Sequence, residues 1–528
     1  MTATAFAPVA GTGTLLRLAL RRDRIVLPLW ILAVGGMVVS GAGSLAALYD
    51  TDAARTELAR SMTANSSMRS LYGPVFGDSV GGLVAWRFGT FAAVLAAVMS
   101  LIVVVRHTRE EEETGRQELL SSAVVGRRAP LTAALLTALA ANAALALLIT
   151  AGLATHQGMG GALALGLAVG GTGVLFGTTA AIVAQLTESA RLAKGLTVWV
   201  LGLAFVLRAA GDAGTEDGGS VPTWLSPIGW AEHVRAFAGE RWWVLGLITL
   251  AASLQAAVAY TLAGRRDIGM SFLPTRPGPG TGTVATAGGL AWRLQRGGLI
   301  GWSAGFLLGG VVFGRMASGA AGIVGGNTQA REIFERMGGQ SGLTDAFLAT
   351  MAGMFGMIAA LYTVGAVLRA HGEETSQRAE PLLANAVGRI RWLAGHLLIA
   401  FGGSALIMLL AGVGLAAGHG GRLPALLGAV LVQVPAVWTV AGVAVVLYGA
   451  VPKATAAGWG VAGVCLALGW IGPALDLPET MLDLSPFGRL PKLPGPAMHW
   501  PPVLVLTGLA AGLVTAGLVS FRRRDLLS

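Results

Sequence analysis

The residues best able to do chemistry in this chain are carboxylates, gathered in one short pattern that occurs twice. Glu111-Glu112, Arg116, Glu118, Leu120, Val125, Gly126 and Arg127 recur as Glu373-Glu374, Arg378, Glu380, Leu382, Val387, Gly388 and Arg389 at a constant offset of 262. Clustered glutamates could hold a hard cation through oxygen. Here, however, they alternate with arginine in a helical rhythm. Glu112 to Arg116 and Glu374 to Arg378 are i,i+4 pairs in the favourable order. Glu111 and Glu118 lie seven apart and share a helix face, as do Glu373 and Glu380. The spacing predicts a short amphipathic helix in each copy, with Leu119, Leu120, Val124 and Val125 facing the bilayer edge. No metal is expected. Two equal acidic surfaces suit a docking partner with two-fold symmetry.

Other chemistries find less support. The chain has no Gly-x-x-x-x-Gly-Lys-(Ser/Thr) phosphate loop, and the glycines between Pro274 and Gly289 follow no strand and precede no lysine. The lone cysteine, Cys465, sits in an apolar run and has no disulfide partner within the chain. A proton-driven antiporter needs a titratable group inside the membrane. All 27 carboxylates fall outside the middle of the apolar runs: Glu188 at an inner end, Asp78, Asp345 and Asp476 at outer ends. His396 reads as an interfacial histidine, and Arg87 and Arg208 as side chains that snorkel outward. The amides Asn142, Gln185, Gln255 and Gln433 fall within apolar runs, where interhelical hydrogen bonding is their commonest role.

The elements that position these residues are membrane helices. Of 528 residues 54% are apolar and only 12% charged, about half the charge of a soluble domain. Mean hydropathy is +0.68. Twelve apolar runs are long enough to cross a bilayer, near 25–48, 83–105, 131–154, 162–186, 192–211, 243–263, 298–319, 346–368, 393–416, 424–449, 455–475 and 501–521. With the N-terminus inside, most of the 37 Lys and Arg fall on inner segments, which makes both termini cytoplasmic. The net charge of +10 is therefore topological and implies no nucleic-acid partner. Glycine stripes, Gly166/Gly170/Gly173/Gly177 and Gly301/Gly305/Gly309, have the spacing of close helix contacts.

The repeat extends beyond the acidic segments. Arg21, Arg24 and Trp30 match Arg293, Arg296 and Trp302; Leu225-Ser226-Pro227 and Gly229 match Leu484-Ser485-Pro486 and Gly488; Arg265-Arg266-Asp267 matches Arg523-Arg524-Asp525. The expected fold is all-α: a polytopic membrane protein of about twelve helices in two tandem, parallel six-helix halves. The halves are 1–270 and 291–528, joined by a Gly/Pro/Thr-rich cytoplasmic linker at 271–290.

Glu-x-x-x-Gly-(Arg/Thr)-x-Glu-x-Leu-Leu followed by Val-(Gly/Ser)-Arg, here Glu111 to Leu120 and then Val125-Gly126-Arg127, resembles the cytoplasmic coupling segment of type 2 ABC exporter permeases. The tandem form, the Leu-Ser-Pro-x-Gly segments and the Arg-Arg-Asp endings are similar to actinobacterial exporters of polyketide and ionophore antibiotics, tetronasin-resistance-like permeases among them. The second copy departs from the pattern, with Gln377 in place of Gly115 and Pro381 in place of Leu119. The resemblance implies a bacterial plasma-membrane permease without a nucleotide site of its own. ATP and magnesium would sit on a separate homodimeric nucleotide-binding protein that grips Glu111, Glu112, Arg116, Glu118, Gly126 and Arg127 together with Glu373, Glu374, Arg378, Glu380, Gly388 and Arg389. Its cargo would be a lipophilic or amphipathic small molecule. It also implies that Thr12 to Arg24 forms an interfacial connecting helix, and that the segments after Thr223 and Leu484 fold back as re-entrant helices. An ion-gradient-driven drug antiporter is the alternative; a scaffold or receptor would leave the paired segments without a purpose.

Overall fold

The computed structural model describes residues 8–121, 125–267, 269–273, 286–317, 343–385, 387–470, 478–495 and 497–525. The chain forms two compact units, Met1–Pro277 and Gly278–Ser528. Among the described residues all regular structure is helical, and eleven helices are long and apolar enough to cross a membrane.

In the first unit, α1 (Thr12–Arg22) is amphipathic and stops at Asp23, whose backbone leaves helical geometry before α2 (Val26–Leu48) begins. Two short helices follow, α3 (Asp52–Ala64) and α4 (Ser66–Tyr72), then the long α5 (Val80–Arg106). The acidic segment comes next as α6 (Arg109–Glu113) and α7 (Arg116–Ser121). The hairpin of α8 (Ala129–Gln157) and α9 (Met159–Leu186) leads to α10 (Ala190–Gly214). Two short helices, α11 (Val221–Leu225) and α12 (Pro227–His233), precede α13 (Trp242–Arg265). The core lies along α5 and α9, the two most buried spans of this unit. Glycine lets α9 pack closely on α8 as well: a Cβ at Gly166 would lie 2.6 Å from the Ala146 carbonyl, and one at Gly170 2.9 Å from that of Asn142. Such backbone approach replaces the hydrophobic drive that lipid removes.

The second unit repeats this plan with changes. The helix α14 (Ala287–Ala317) is continuous through Arg293 and Arg296, where the first unit breaks at Asp23. The helix α15 (Leu343–Thr375) carries Glu373 and Glu374 in its last turn, and α16 (Glu380–Leu383) follows. Next come α17 (Arg389–His419), α18 (Leu423–Leu431) and α19 (Val434–Ala450). Pro435 at the start of α19 has no N–H to continue the ladder, so the run expected at 424–449 is one crossing built of two helices. The run expected at 455–475 contains the shorter α20 (Ala457–Trp470); residues 471–477 lie outside the described residues. Finally α21 (Glu479–Leu482) leads to α22 (Trp500–Arg523). The expected stripe Gly301/Gly305/Gly309 is on the wrong face. Gly310 and Gly314 instead meet the backbone of α17, and Gly414 and Gly418 meet that of α14.

Candidate functional site: the cytoplasmic segments and a buried clamp

Each acidic segment is two pieces of helix around a left-handed residue, Gly115 at φ 70° and Gln377 at φ 57°. That break corrects the expected pairing. Arg116 meets Glu111 at 3.7 Å and Arg378 meets Glu373 at 2.8 Å, both five residues back instead of four. The replacement of Gly115 by Gln377 therefore preserves the bend in a residue type that pays steric strain for it.

Glu112 and Glu374 do not point to the cytosol. Glu112 is buried and takes a two-pronged ion pair from Arg266 at 2.5 and 2.8 Å, with Arg109 Nη1 at 2.6 Å. Glu374 takes the same fork from Arg524 at 2.7 Å on each prong, with the Tyr448 hydroxyl donating at 2.7 Å. Planar guanidinium against carboxylate is the strongest arrangement available to these groups. Arg127 donates to the Arg266 carbonyl at 2.5 Å, and Arg389 to the Arg524 carbonyl at 2.7 Å. Thus the acidic motif and the Arg-Arg-Asp motif, far apart in sequence, form one clamp in each unit. It ties the cytoplasmic segment to the end of the unit's last span, α13 or α22. Sequence reasoning missed Arg266, Arg524 and Tyr448, although the order of the two motifs in both halves was a usable signal.

Further contacts fasten the first segment. Arg109 donates Nε and Nη2 to the Ala184 carbonyl at the end of α9, at 3.0 and 2.6 Å. Glu113 accepts from the Ala190 N–H that opens α10, at 2.8 Å, and Glu110 pairs with Lys194. Arg22 of α1 pairs with Glu111 at 2.5 Å. Backbone bonds run from the buried Gly126 to Ala10 and from Arg128 to Pro8, so the N-terminal strand of chain is stitched to the segment. In the second unit Gly388 is exposed at the N-terminus of α17, and Arg369 and Arg378 both hold Glu373. Arg116, Glu118, Leu119 and Arg127 remain exposed in the first unit, and Arg378, Glu380 and Pro381 in the second.

At the other end of each unit the Leu-Ser-Pro-x-Gly segment docks by a repeated device. Ser226 donates to the Ala204 carbonyl at 2.6 Å, and Ser485 to the Cys465 carbonyl at 3.5 Å. Gly229 lies against the Thr223 carbonyl; a Cβ at Gly488 would come within 2.7 Å of the Leu482 carbonyl. Here two readings of the sequence fail. Arg208 does not snorkel: it is fully buried, 3.0 Å from Glu232 and 3.4 Å from Asp212. Carboxylates are therefore buried within the bundle after all, because α12 carries Glu232 back between α5 and α9. In the second unit His396, near the start of α17, is buried and lies 3.0 Å from Gln295. Two of the amides act between helices as expected, whereas Gln185 accepts from Arg266 and the buried Gln433 Oε1 has no partner among the described residues. Asn142 donates to Ser100 at 2.7 Å, and Gln255 accepts from Thr178 at 2.7 Å.

A groove of about 510 Å³ opens between α8, α9 and α13. Its walls include Leu139, Ala143, Leu167, Val174 and Ile248, with Tyr260 at one end. That volume lies within the range of ligand pockets.

Residues 284–522 match the family model described as multidrug efflux system permease Rv1217c, C-terminal domain. Along 526 residues the chain is 43% identical to the multidrug efflux system permease protein Rv1217c of Mycobacterium tuberculosis (strain ATCC 25618 / H37Rv), covering 98% of this chain and 95% of that one. The relative's name is broader than the polyketide and ionophore class of the resemblance. Similarity along nearly the whole of both chains, joined to this many membrane-length helices, identifies the molecule as a multi-pass permease of the bacterial inner membrane that belongs to the multidrug efflux system permease family.

Proposed function

We propose that this permease is the membrane-spanning subunit of an ATP-driven exporter. A homodimer of a separate ABC-type nucleotide-binding protein would dock on the two cytoplasmic segments, with ATP and magnesium held on that partner. The observation that carries the reading is the duplicated clamp. Motion imposed on either acidic segment is transmitted through Glu112–Arg266 or Glu374–Arg524 to the last span of that unit, so each segment is a lever and not a free loop. With the Glu112 and Glu374 side chains buried, the exposed Arg116, Glu118 and Arg127 and Arg378 and Glu380 are the residues of the two segments that such a partner would meet. The cargo would be lipophilic or amphipathic, antibiotics of the polyketide or ionophore type included. The apolar groove on α8, α9 and α13 supports that class.

The test separates docking from transmission. Glu118→Lys with Glu380→Lys should reduce copurification of the nucleotide-binding subunit several-fold. Arg266→Lys with Arg524→Lys keeps the charge but loses the fork; it should leave copurification intact and lower cargo-stimulated ATPase activity. If neither pair changes copurification or stimulation, the coupling assignment is wrong.

An ion-driven antiporter is the second reading, favoured by the buried Arg208, Asp212 and Glu232. Purified permease in liposomes that concentrated cargo on an imposed proton gradient, without nucleotide, would establish it in place of the first.

A further inference from the structure

The α11–α12 segment of the first unit holds charges that its fold does not require. Both units seat this segment by the same serine and the same glycine. Among the described residues only the first adds a buried ionic cluster. Glu232 is matched by Pro491, Thr90 by Ala352, and Arg208 by Gly469, at the offsets that align their neighbours. Since the described part of α21 and the turn after it dock through Ser485 and Gly488 without these groups, the cluster serves something other than docking.

Its geometry is unbalanced. The single guanidinium of Arg208 serves two carboxylates, Glu232 at 3.0 Å and Asp212 at 3.4 Å, and spends its other nitrogen on the carbonyls of Ser70 and Leu71. Thr90 donates to the same Glu232 oxygen that Arg208 reaches, at 2.6 Å. The second oxygen, Oε2, is buried and no donor group among the described residues reaches it; the Asp212 carboxyl lies within hydrogen-bonding reach of Glu232, so a proton on one of the two can be shared with the other. Glu232 lines a small, partly open cavity of about 40 Å³ together with Tyr72, Thr90, Ala168 and Arg235. An unpartnered carboxylate oxygen so placed is costly as an anion and much less so with a proton. The turn after α12 is strained, with Arg235 at φ 52° and Phe237 at φ 62°. Phe237 fills a notch between Gly81 and Gly161 that no Cβ would share. Left-handed non-glycine residues cost about 1–3 kcal/mol each and persist where the surroundings hold them.

We propose that Glu232 is a proton-binding site and that α12 with its following turn is a lid, seated while Glu232 carries the proton and released when it does not. Burial pushes the Glu232 carboxyl up to about 8, against the lowering effect of Arg208. The sign follows. A carboxyl raised above its ordinary value of 4.5 favours the seated lid fully at low pH, and that advantage is lost as pH rises through about 8. The groups facing it are few: Arg208 and Asp212 from α10, Arg69 and Tyr72 from α4, Thr90 from α5, and Arg235 from the turn. His233, its neighbour on α12, is lowered by burial and gives Nδ1 to the Gly229 carbonyl. Leu165, Ala168 and Val169 of α9 bring no charge, and the ionisable residues of α13, Tyr260 and Arg265, lie at its far end. The lid goes beyond the export reading and does not depend on what powers transport.

Labelling tests it without transport. In the full chain with Cys465→Ser, Ala168→Cys places one thiol under the lid. Its reaction with a membrane-impermeant maleimide is followed between pH 6 and 9, and each rate is divided by that in Glu232→Gln, which cancels the thiol's own titration. The ratio should rise about fivefold with pH. Thr90→Val, which removes a hydrogen bond to the charged form, should move the midpoint upward. A flat ratio overturns the proposal. If Glu232→Gln does not insert, an unmoved midpoint in Thr90→Val overturns it instead.

Discussion

Gln377 is the residue at which the two halves differ in chemistry but agree in shape. A left-handed backbone at a residue with a Cβ costs about 1–2 kcal/mol, partly offset by the greater entropy that glycine loses on folding. Gln377→Gly should therefore raise the thermal unfolding temperature of the purified chain, and Gly115→Gln should lower it. Shifts of the same sign, or both reversed from these, would mean that the bends are held differently. The same residue explains what could not be read in advance. The glutamates and arginines of the site were legible from their repetition, but a one-residue slip in pairing, from i,i+4 to i,i+5, depends on a glutamine adopting a conformation its type disfavours. Arg208 was illegible for another reason. Hydropathy tells where the chain runs, not which buried carboxylate returns on a neighbouring turn to meet it.

At the scale of elements, the spans were legible because lipid leaves little choice: about 20 apolar residues and an internally bonded backbone. All twelve expected runs hold helices, and the break between α18 and α19 was signalled by Pro435. The clamp was half legible, both motifs being visible and their contact not, since the pairing of one helix end with another 150 residues away leaves no period in the sequence. It also makes a sharp energetic expectation. Removing one partner of a buried ion pair strands the other and costs about 3–5 kcal/mol, whereas neutralising both costs far less. Glu374→Gln alone, or Arg524→Met alone, should reduce the yield of folded chain and its unfolding temperature strongly, and the double variant should recover much of the loss. Additive losses in the double variant would show that the fork contributes nothing beyond its separate side chains. Tyr448 sharpens the comparison, because its hydroxyl stays beside whatever remains of Glu374.

For the whole molecule, the question left by the helices is how many times the second unit crosses. The first unit contains six membrane-length helices, which returns the chain to the side on which it began. Among its described residues the second contains five, and α20 is a shorter apolar helix that ends where the described residues end. If α20 and the residues after it complete a crossing, the Arg522-Arg523-Arg524 end of α22 lies on the same side as the clamp segment at Glu374. If they do not, α22 would deliver those arginines to the opposite face. The ion pair decides between these possibilities: Arg524 and Glu374 are in contact at 2.7 Å, so the end of α22 and the end of α15 share a face. That same argument, made with Arg266 and Glu112, fixes the first unit. A fluorescent protein fused after Ser528, which matures only in the cytoplasm, should therefore fluoresce, and a protease site placed near residue 280 should be cut from the cytoplasmic side alone. A dark fusion on a stably inserted chain would separate the two ends that the clamp joins. It would refute both the six-span halves and the lever on which the export reading stands.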